Sequence, residues 1–303
     1  MPIKIPNQLP ALAVLANENI FVMSETRAIS QDIRPMQVAV LNLMPNKIET
    51  EIQILRMLSN TPLQIHIDLV RLHLDQPKNT PKAHMDAFYV LFDDIKHKHY
   101  DGLIVTGAPL GQLDYQQVNY WDKIEEVFRW ANSNVTSSLY SCWAAHAALY
   151  FHYGLERQLR DDKLSGIYQH KTLDPMEQLT RGFDEHFNVP HSRYGEIPLQ
   201  DYQSIEELSV LAHSAQAGVY LAASNDKRHV FVTGHPEYDS YTLKEEYQRD
   251  CDAGIDPQIP VNYFDNDCID SEPANNWRSH GCLLFSNWLN YYVYQITPYH
   301  LNH

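Results

Sequence analysis

Cys142 is the residue of this chain best placed for covalent chemistry. The strand-like run Ser137-Ser138-Leu139-Tyr140-Ser141 stops at Cys142, and the helix-favouring run Trp143-Ala144-Ala145-His146-Ala147-Ala148-Leu149 follows at once. A thiol at such a junction lies at a helix N-terminus, where unpaired backbone N–H groups and the helix dipole favour an anion. The anionic thiolate is the nucleophilic form of cysteine. The competing reading is a small buried core cysteine. A catalytic role therefore requires a base, a group that orients the base, and an oxyanion site.

The run Val232-Thr233-Gly234-His235-Pro236-Glu237 supplies the first two. An apolar strand ends at Gly234 and presents a histidine and a glutamate two residues apart, with a proline stiffening the backbone between them. His235 would take the thiol proton and Glu237 would orient the imidazole, provided that this strand lies beside the one leading to Cys142. His146 is a competing base, four residues beyond Cys142 on the same helix face. Its side chain would point along the helix, which makes it a packing residue. The loop Gly107-Ala108-Pro109-Leu110-Gly111 follows another apolar strand. Backbone N–H groups at Ala108 and Trp143 could hold a developing oxyanion. The loop matches neither a dinucleotide fingerprint nor a phosphate-binding P-loop.

The elements that must position these groups alternate between strand and helix. Gln37 to Leu43, Leu63 to Leu72, Gly102 to Gly107 and the run ending at Cys142 read as strands. Helices are expected at about 48–59, 83–97 and 119–131, with a stretch containing Pro77 and Pro81 before the second. Ser209 to His213, Gly218 to Ser224 and His229 to Thr233 read as further strands, the last two joined by an Asn225-Asp226 turn. A helix over Thr242 to Ala253 follows, with Asp239 or Ser240 as N-cap and Gly254 as its stop. Residues 255–276 read as loop, and an aromatic helix spans about 279–294. The predicted fold class is α/β, a mostly parallel sheet with helices on both faces. Ligands of such sheets gather outside the strands' carboxyl ends, where both Cys142 and the Gly107–Gly111 loop fall. One domain over 1–303 is expected, with 1–35 as an irregular N-terminal arm and 36–303 as the core.

Composition narrows the partners. The 303 residues carry a formal net charge of −15, which argues against nucleic acid or an anionic membrane as partner. There is no run of about 18 apolar residues and no convincing signal peptide, so the expected location is cytoplasmic. The four cysteines, Cys142, Cys251, Cys268 and Cys282, are widely spaced and fit reduced thiols. His97-Lys98-His99 and the Asp265, Asp267, Asp270 group lack the further ligands of a metal site. The Trp288 to Tyr294 stripe reads as core, with a homodimer interface as the second reading.

A strand-to-helix cysteine with a distant His-Pro-Glu resembles the class I glutamine amidotransferase fold. The fuller match is to the homoserine O-acyltransferase family. It is carried by Leu41 through Pro45, Gly102 through Gly111, Cys142-Trp143-Ala144, Lys163 through Gly166 and Pro190 through Tyr194. Phe231 through Tyr238, Trp277 through Gly281 and Asn287 through Gln295 complete it. The resemblance implies that Cys142 is the acyl-thioester nucleophile, His235 its base and Glu237 the base's partner. It also implies that Lys47 serves acyl transfer and that Lys163, Ser192 and Arg249 contact substrate. The amidotransferase alternative is disfavoured, because Tyr140 and Ala144 stand where amidotransferases generally carry glycines.

The implied reaction belongs to methionine biosynthesis and is a ping-pong transfer. The thiolate takes an acyl group from acyl-CoA, and the hydroxyl of L-homoserine, deprotonated by His235, then takes it from the enzyme. An activated thioester donor removes any need for metal, ATP or another cofactor. In the family, glycine at the position of Gly111 accompanies succinyl-CoA and glutamate accompanies acetyl-CoA. Gly111 therefore points to succinyl-CoA, with acetyl-CoA as the alternative donor.

Overall fold

The computed structural model describes residues 3–6, 8–18, 23–24, 35–73 and 79–297. The N-terminal arm contributes β1 (Ile3–Ile5) and β2 (Met23–Ser24), with a helix at Ala11–Asn17. The described part of the arm is thus not irregular. Ile5, Leu9, Ala11 and Leu15 are buried in the main core, and that burial orders it. The rest of the arm, like Pro77, lies outside the described residues.

The central strands are β3 (Met36–Leu41), β4 (Ile65–Arg71), β5 (Tyr89–Leu91), β6 (Tyr100–Val105) and β7 (Val135–Ser141). They are followed by β8 (Gln158–Thr172), β9 (His186–Glu196), β10 (Leu208–Ser214), β11 (Gly218–Ser224) and β12 (His229–Val232). One sheet holds them in the order β2-β1-β4-β3-β6-β7-β12-β11-β10-β8-β9, with β5 paired to β4. Pairing is parallel from β2 to β12 and antiparallel from β12 to β9. The parallel strands β3 and β6 are buried along almost their whole length, which is why they read as unbroken apolar runs.

Two expected helix boundaries are corrected. The helix expected over 83–97 is broken into Lys82–Phe88 and Phe92–Ile95 by β5. The run Tyr89-Val90-Leu91, with an aromatic and a β-branched residue at its start, pairs in parallel with Leu69–Arg71, and that pairing wins over helical continuity. The helix Thr242–Asp252 has Tyr241 as N-cap with no side-chain cap, and the Lys244 N–H that a capping side chain would take donates instead to Tyr263 OH at 3.2 Å. Gly254 follows it in the left-handed region, as expected of a helix stop.

The helix Trp143–Tyr153 is buried on every side from Trp143 to Leu149. Its alanines let it lie close on the sheet, which fixes where its N-terminus points. The C-terminal helix Arg278–Asn287 continues as a π-helix over Trp288–Tyr294, and Trp288, Leu289, Tyr292 and Val293 are in the core. No helix among the described residues is long and apolar enough to cross a membrane.

Candidate active site

β7 and β12 are parallel neighbours in register, with Ser141 opposite Val232. β6 lies on the other side of β7, with Val105 opposite Tyr140. The carboxyl ends of three adjacent strands therefore deliver Cys142, His235 and the Gly107–Gly111 loop to one place. The adjacency required of the histidine strand is met, and the Cys142 N–H donates to the Val232 carbonyl at 2.7 Å.

Cys142 turns the chain from strand to helix with φ 49° and ψ −114°. A side chain at positive φ is strained at a cost of about 1–3 kcal/mol. The strain has a use, because it brings the thiol to the end of the strand at the first turn of the following helix. Gly107 lies against this turn. A Cβ there would sit 3.2 Å from Cys142 Cβ and 3.7 Å from His235 Cε1, so the loop could not approach with a side chain.

His235 is buried, and its Nδ1 lies 2.8 Å from Glu237 Oε1. Nδ1 is thus the protonated nitrogen that donates to the carboxylate, and Nε2 is left to exchange a proton with Cys142. Burial opposes a charged imidazole here, but the Cys142 thiolate and the Glu237 carboxylate outweigh it and push the His235 pKa well above its ordinary value. Tyr238 stacks on the imidazole at 4.1 Å and 18°, and the His235 N–H donates to the Pro190 carbonyl. Gly234 permits that approach, since a Cβ there would meet Val189 Cγ1 at 2.7 Å.

The hairpin of β8 and β9 curls back over these strand ends. It places the Ser192 carbonyl 4.0 Å from Cys142 Sγ and brings Ser192, Arg193, Tyr194 and Lys163 into the wall of a cavity of about 330 Å³. The helix Thr242–Asp252 supplies Glu246, Arg249 and Asp250 from one face. Glu246 accepts hydrogen bonds from Ser192 Oγ and from Tyr238 OH at 2.9 Å. Lys163 Nζ lies 3.0 Å from Asp250 Oδ2, and Arg249 Nη2 lies 2.8 Å from Asp250 Oδ1. Ala108 and Trp143 both line the cavity beside Cys142.

Most of the residues expected from sequence are therefore brought together. Lys47 stands apart. It is outside the cavity lining, at the first residue of the helix Lys47–Leu58, and its Nζ donates to the Asn42 carbonyl. Burial lowers its pKa to about 8, against the raising effect of Glu51. His146 lines the cavity, and burial first, then Arg193 and Arg157, push its pKa well below the ordinary value, so it is a neutral wall residue. Sequence reasoning missed Glu246 and Asp250. The available signal was their helical spacing from Arg249, which puts all three on one face. Among the described residues no group of side chains is arranged to hold a metal ion.

Comparison with known proteins gives a consistent picture. The family described as homoserine O-succinyltransferase matches residues 2–299. Homoserine O-succinyltransferase of Pseudoalteromonas atlantica is 60% identical, covering 99% of this chain and 98% of its own length. The enzyme of the same description from Yersinia pestis is 56% identical over 100% of this chain and 98% of its own. Among solved structures, a glutamine amidotransferase from Thermotoga maritima superposes with TM-score 0.55 at 12% identity, covering 85% of this chain and 98% of its own. One from Methylobacillus flagellatus gives 0.54 at 12% identity, covering 90% and 100%. The fold is thus that of class I glutamine amidotransferases.

Proposed function

We propose, for a chain that belongs to the homoserine O-succinyltransferase family, that Cys142 carries the succinyl group as a thioester between two half-reactions. The chain is an acyltransferase acting on homoserine. The observation that carries the thioester route is the convergence of a strained Cys142 with the His235–Glu237 pair at adjacent strand ends.

In the first half-reaction the thiolate attacks the thioester carbonyl of succinyl-CoA, and N–H groups at Trp143 and Ala108 face the oxyanion. The C–S bond to CoA then breaks, the departing thiolate takes the proton held on His235 Nε2, and free CoA leaves with the imidazole neutral. In the second, His235 Nε2 takes the proton of the homoserine hydroxyl as its oxygen attacks the enzyme thioester, and the Cys142 thiolate is regenerated. The acidic pair Glu246 and Asp250 suits the ammonium group of homoserine, with Lys163 and Arg249 suited to its carboxylate. Lys47, outside the cavity wall, would serve the step through the loop of Met44 and Pro45, which do line it. The route uses neither metal nor ATP, because the donor arrives activated. The reading includes a cytoplasmic location, which the four free cysteines suit.

Wild-type protein mixed with succinyl-CoA should gain the mass of one succinyl group and lose it when homoserine is added. Intact-protein mass spectrometry without any such adduct would refute the thioester route.

The His235 environment gives a pH prediction. Homoserine attack needs the neutral imidazole, so its rate rises with pH through the His235 pKa. In the acyl-enzyme the Cys142 negative charge is gone, and with it one of the two causes that raise that pKa. The base is thereby released at the step that uses it. Glu237→Gln removes the other raising charge, so the acidic limb of homoserine-dependent deacylation should move to lower pH. Its plateau should fall about 10²–10⁴-fold from the loss of imidazole orientation. A limb that stays in place or moves up would show that Glu237 does not set the charge of His235.

A further inference from the structure

We infer that Arg157 receives the distal carboxylate of the succinyl group and, together with Gly111, sets the choice of donor. This deepens the succinyl-transfer reading above and rests on it. Four cations line the cavity: Arg157, Lys163, Arg193 and Arg249. Lys163 is already matched by Asp250 and Glu246, and Arg249 by Asp250. Arg193 is 5% exposed and its nitrogens are committed: Nε to His191 Nδ1, Nη1 to the Gly195 carbonyl and Nη2 to the Ala217 carbonyl. Among the described residues Arg157 meets no carboxylate within ion-pair distance. It is half-buried, its Nη2 donates to the Leu113 carbonyl, and its guanidinium lies 4.6 Å from the Tyr115 ring centroid.

Those two contacts hold the guanidinium at the far end of the loop that carries Gly111. The floor between them is continuous. A Cβ on Gly111 would sit 3.8 Å from Tyr194 Cβ, and one on the next residue of that strand, Gly195, would sit 3.1 Å from both Arg157 Cδ and His146 Nδ1. His146 is four residues along the helix from Cys142, a rise of about 6 Å. A fully extended succinyl group spans about 3.9 Å from its thioester carbon to its carboxylate carbon, and about 5 Å from the Cys142 sulfur once the C–S bond is included. That length is close to the rise from Cys142 to His146, whose ring shares the surroundings of Gly195 with Arg157, so the succinyl carboxylate is directed toward that guanidinium. A carboxylate entering a partly buried site needs a cation with matched hydrogen bonds, and a guanidinium offers two parallel N–H groups.

The test is single-turnover acylation of Cys142, followed by intact mass, in wild type, Arg157→Met and Arg157→Lys. Succinyl-CoA is compared with the neutral donors butyryl-CoA and acetyl-CoA. Arg157→Met should slow succinylation about 10²-fold, as expected when one partner of a desolvated charge pair is removed, and leave the neutral donors within about threefold. Arg157→Lys should recover part of the loss, because it keeps the charge without the fork. Undiminished succinylation in Arg157→Met would overturn the inference. Equal slowing with all donors would also overturn it, assigning Arg157 to support of the loop through Leu113 and Tyr115. Absence of any adduct on wild-type protein would instead defeat the thioester route, so the two failures are distinguishable.

Discussion

Cys142→Ala is expected to abolish turnover with succinyl-CoA and homoserine by about 10⁴-fold or more and to leave no acyl adduct on the protein. Losing the nucleophile from a concerted triad removes nearly all the catalysis that the triad provides. What remains would be His235 activating homoserine directly against bound acyl-CoA, without the covalent intermediate. The variant should fold as the wild type does. Alanine adopts the φ of 49° found at Cys142 at a cost like that of cysteine, and the Cys142 N–H bond to Val232 is made by the backbone. A thermal unfolding midpoint close to wild type would confirm that only chemistry was lost. A succinyl adduct persisting on the alanine variant would move the nucleophile to another residue and overturn the assignment. Cys142→Ser sharpens the result. It keeps a hydroxyl against His235 but replaces a readily formed thiolate with a poor alkoxide, so slow acylation and slow release are both expected.

The part of this site that was legible in the sequence is the part built from local rules. An apolar run ending in cysteine before an alanine-rich helix specifies a strand-to-helix elbow, and an apolar run ending in Gly234 specifies where His235 emerges. Their adjacency follows from parallel pairing, which the alternation of strands and helices implies. What was not legible arises from long-range antiparallel pairing. β8 carries Arg160, Asp161, Asp162 and Lys163 and is exposed over its first residues, so its pattern does not resemble a buried strand. Yet its pairing with β9 from Leu164–Arg193 to Lys171–His186 is what swings Ser192, Arg193 and Tyr194 over the nucleophile. The charged residues of Thr242–Asp252 read as an ordinary solvated helix face for the same reason. Only the fold shows that Glu246 meets Ser192, Tyr238 and Lys163. Lys163 and Arg249, singled out through family resemblance, form with Glu246 and Asp250 the charged set assigned to homoserine, which leaves Arg157 as the cation for the succinyl carboxylate.

Gly111→Glu is expected to invert donor preference. The position accepts a side chain: its φ is outside the left-handed region, and a Cβ there would have the atoms of Tyr194 as its nearest neighbours, at 3.8–3.9 Å. The added carboxylate would project from the cavity wall beside the path of the succinyl chain. Two carboxylates about 4 Å apart repel by about 4 kcal/mol at an effective dielectric of 20, which is about 10³-fold in rate. Acetyl-CoA brings no second charge, so its kcat/KM should stay within about threefold or rise. A competition between the two donors, with homoserine as acceptor and the ester products separated by mass, reads the inversion directly. A parallel fall for both donors would place the effect in the loop's support of Cys142, and an unchanged succinyl rate would remove Gly111 from donor choice. The role of Arg157 adds a coupling test. If the new glutamate acts partly by pairing with Arg157, the loss from Gly111→Glu should be smaller in an Arg157→Met background than in wild type. Additive losses would mean that the carboxylate acts on the substrate alone.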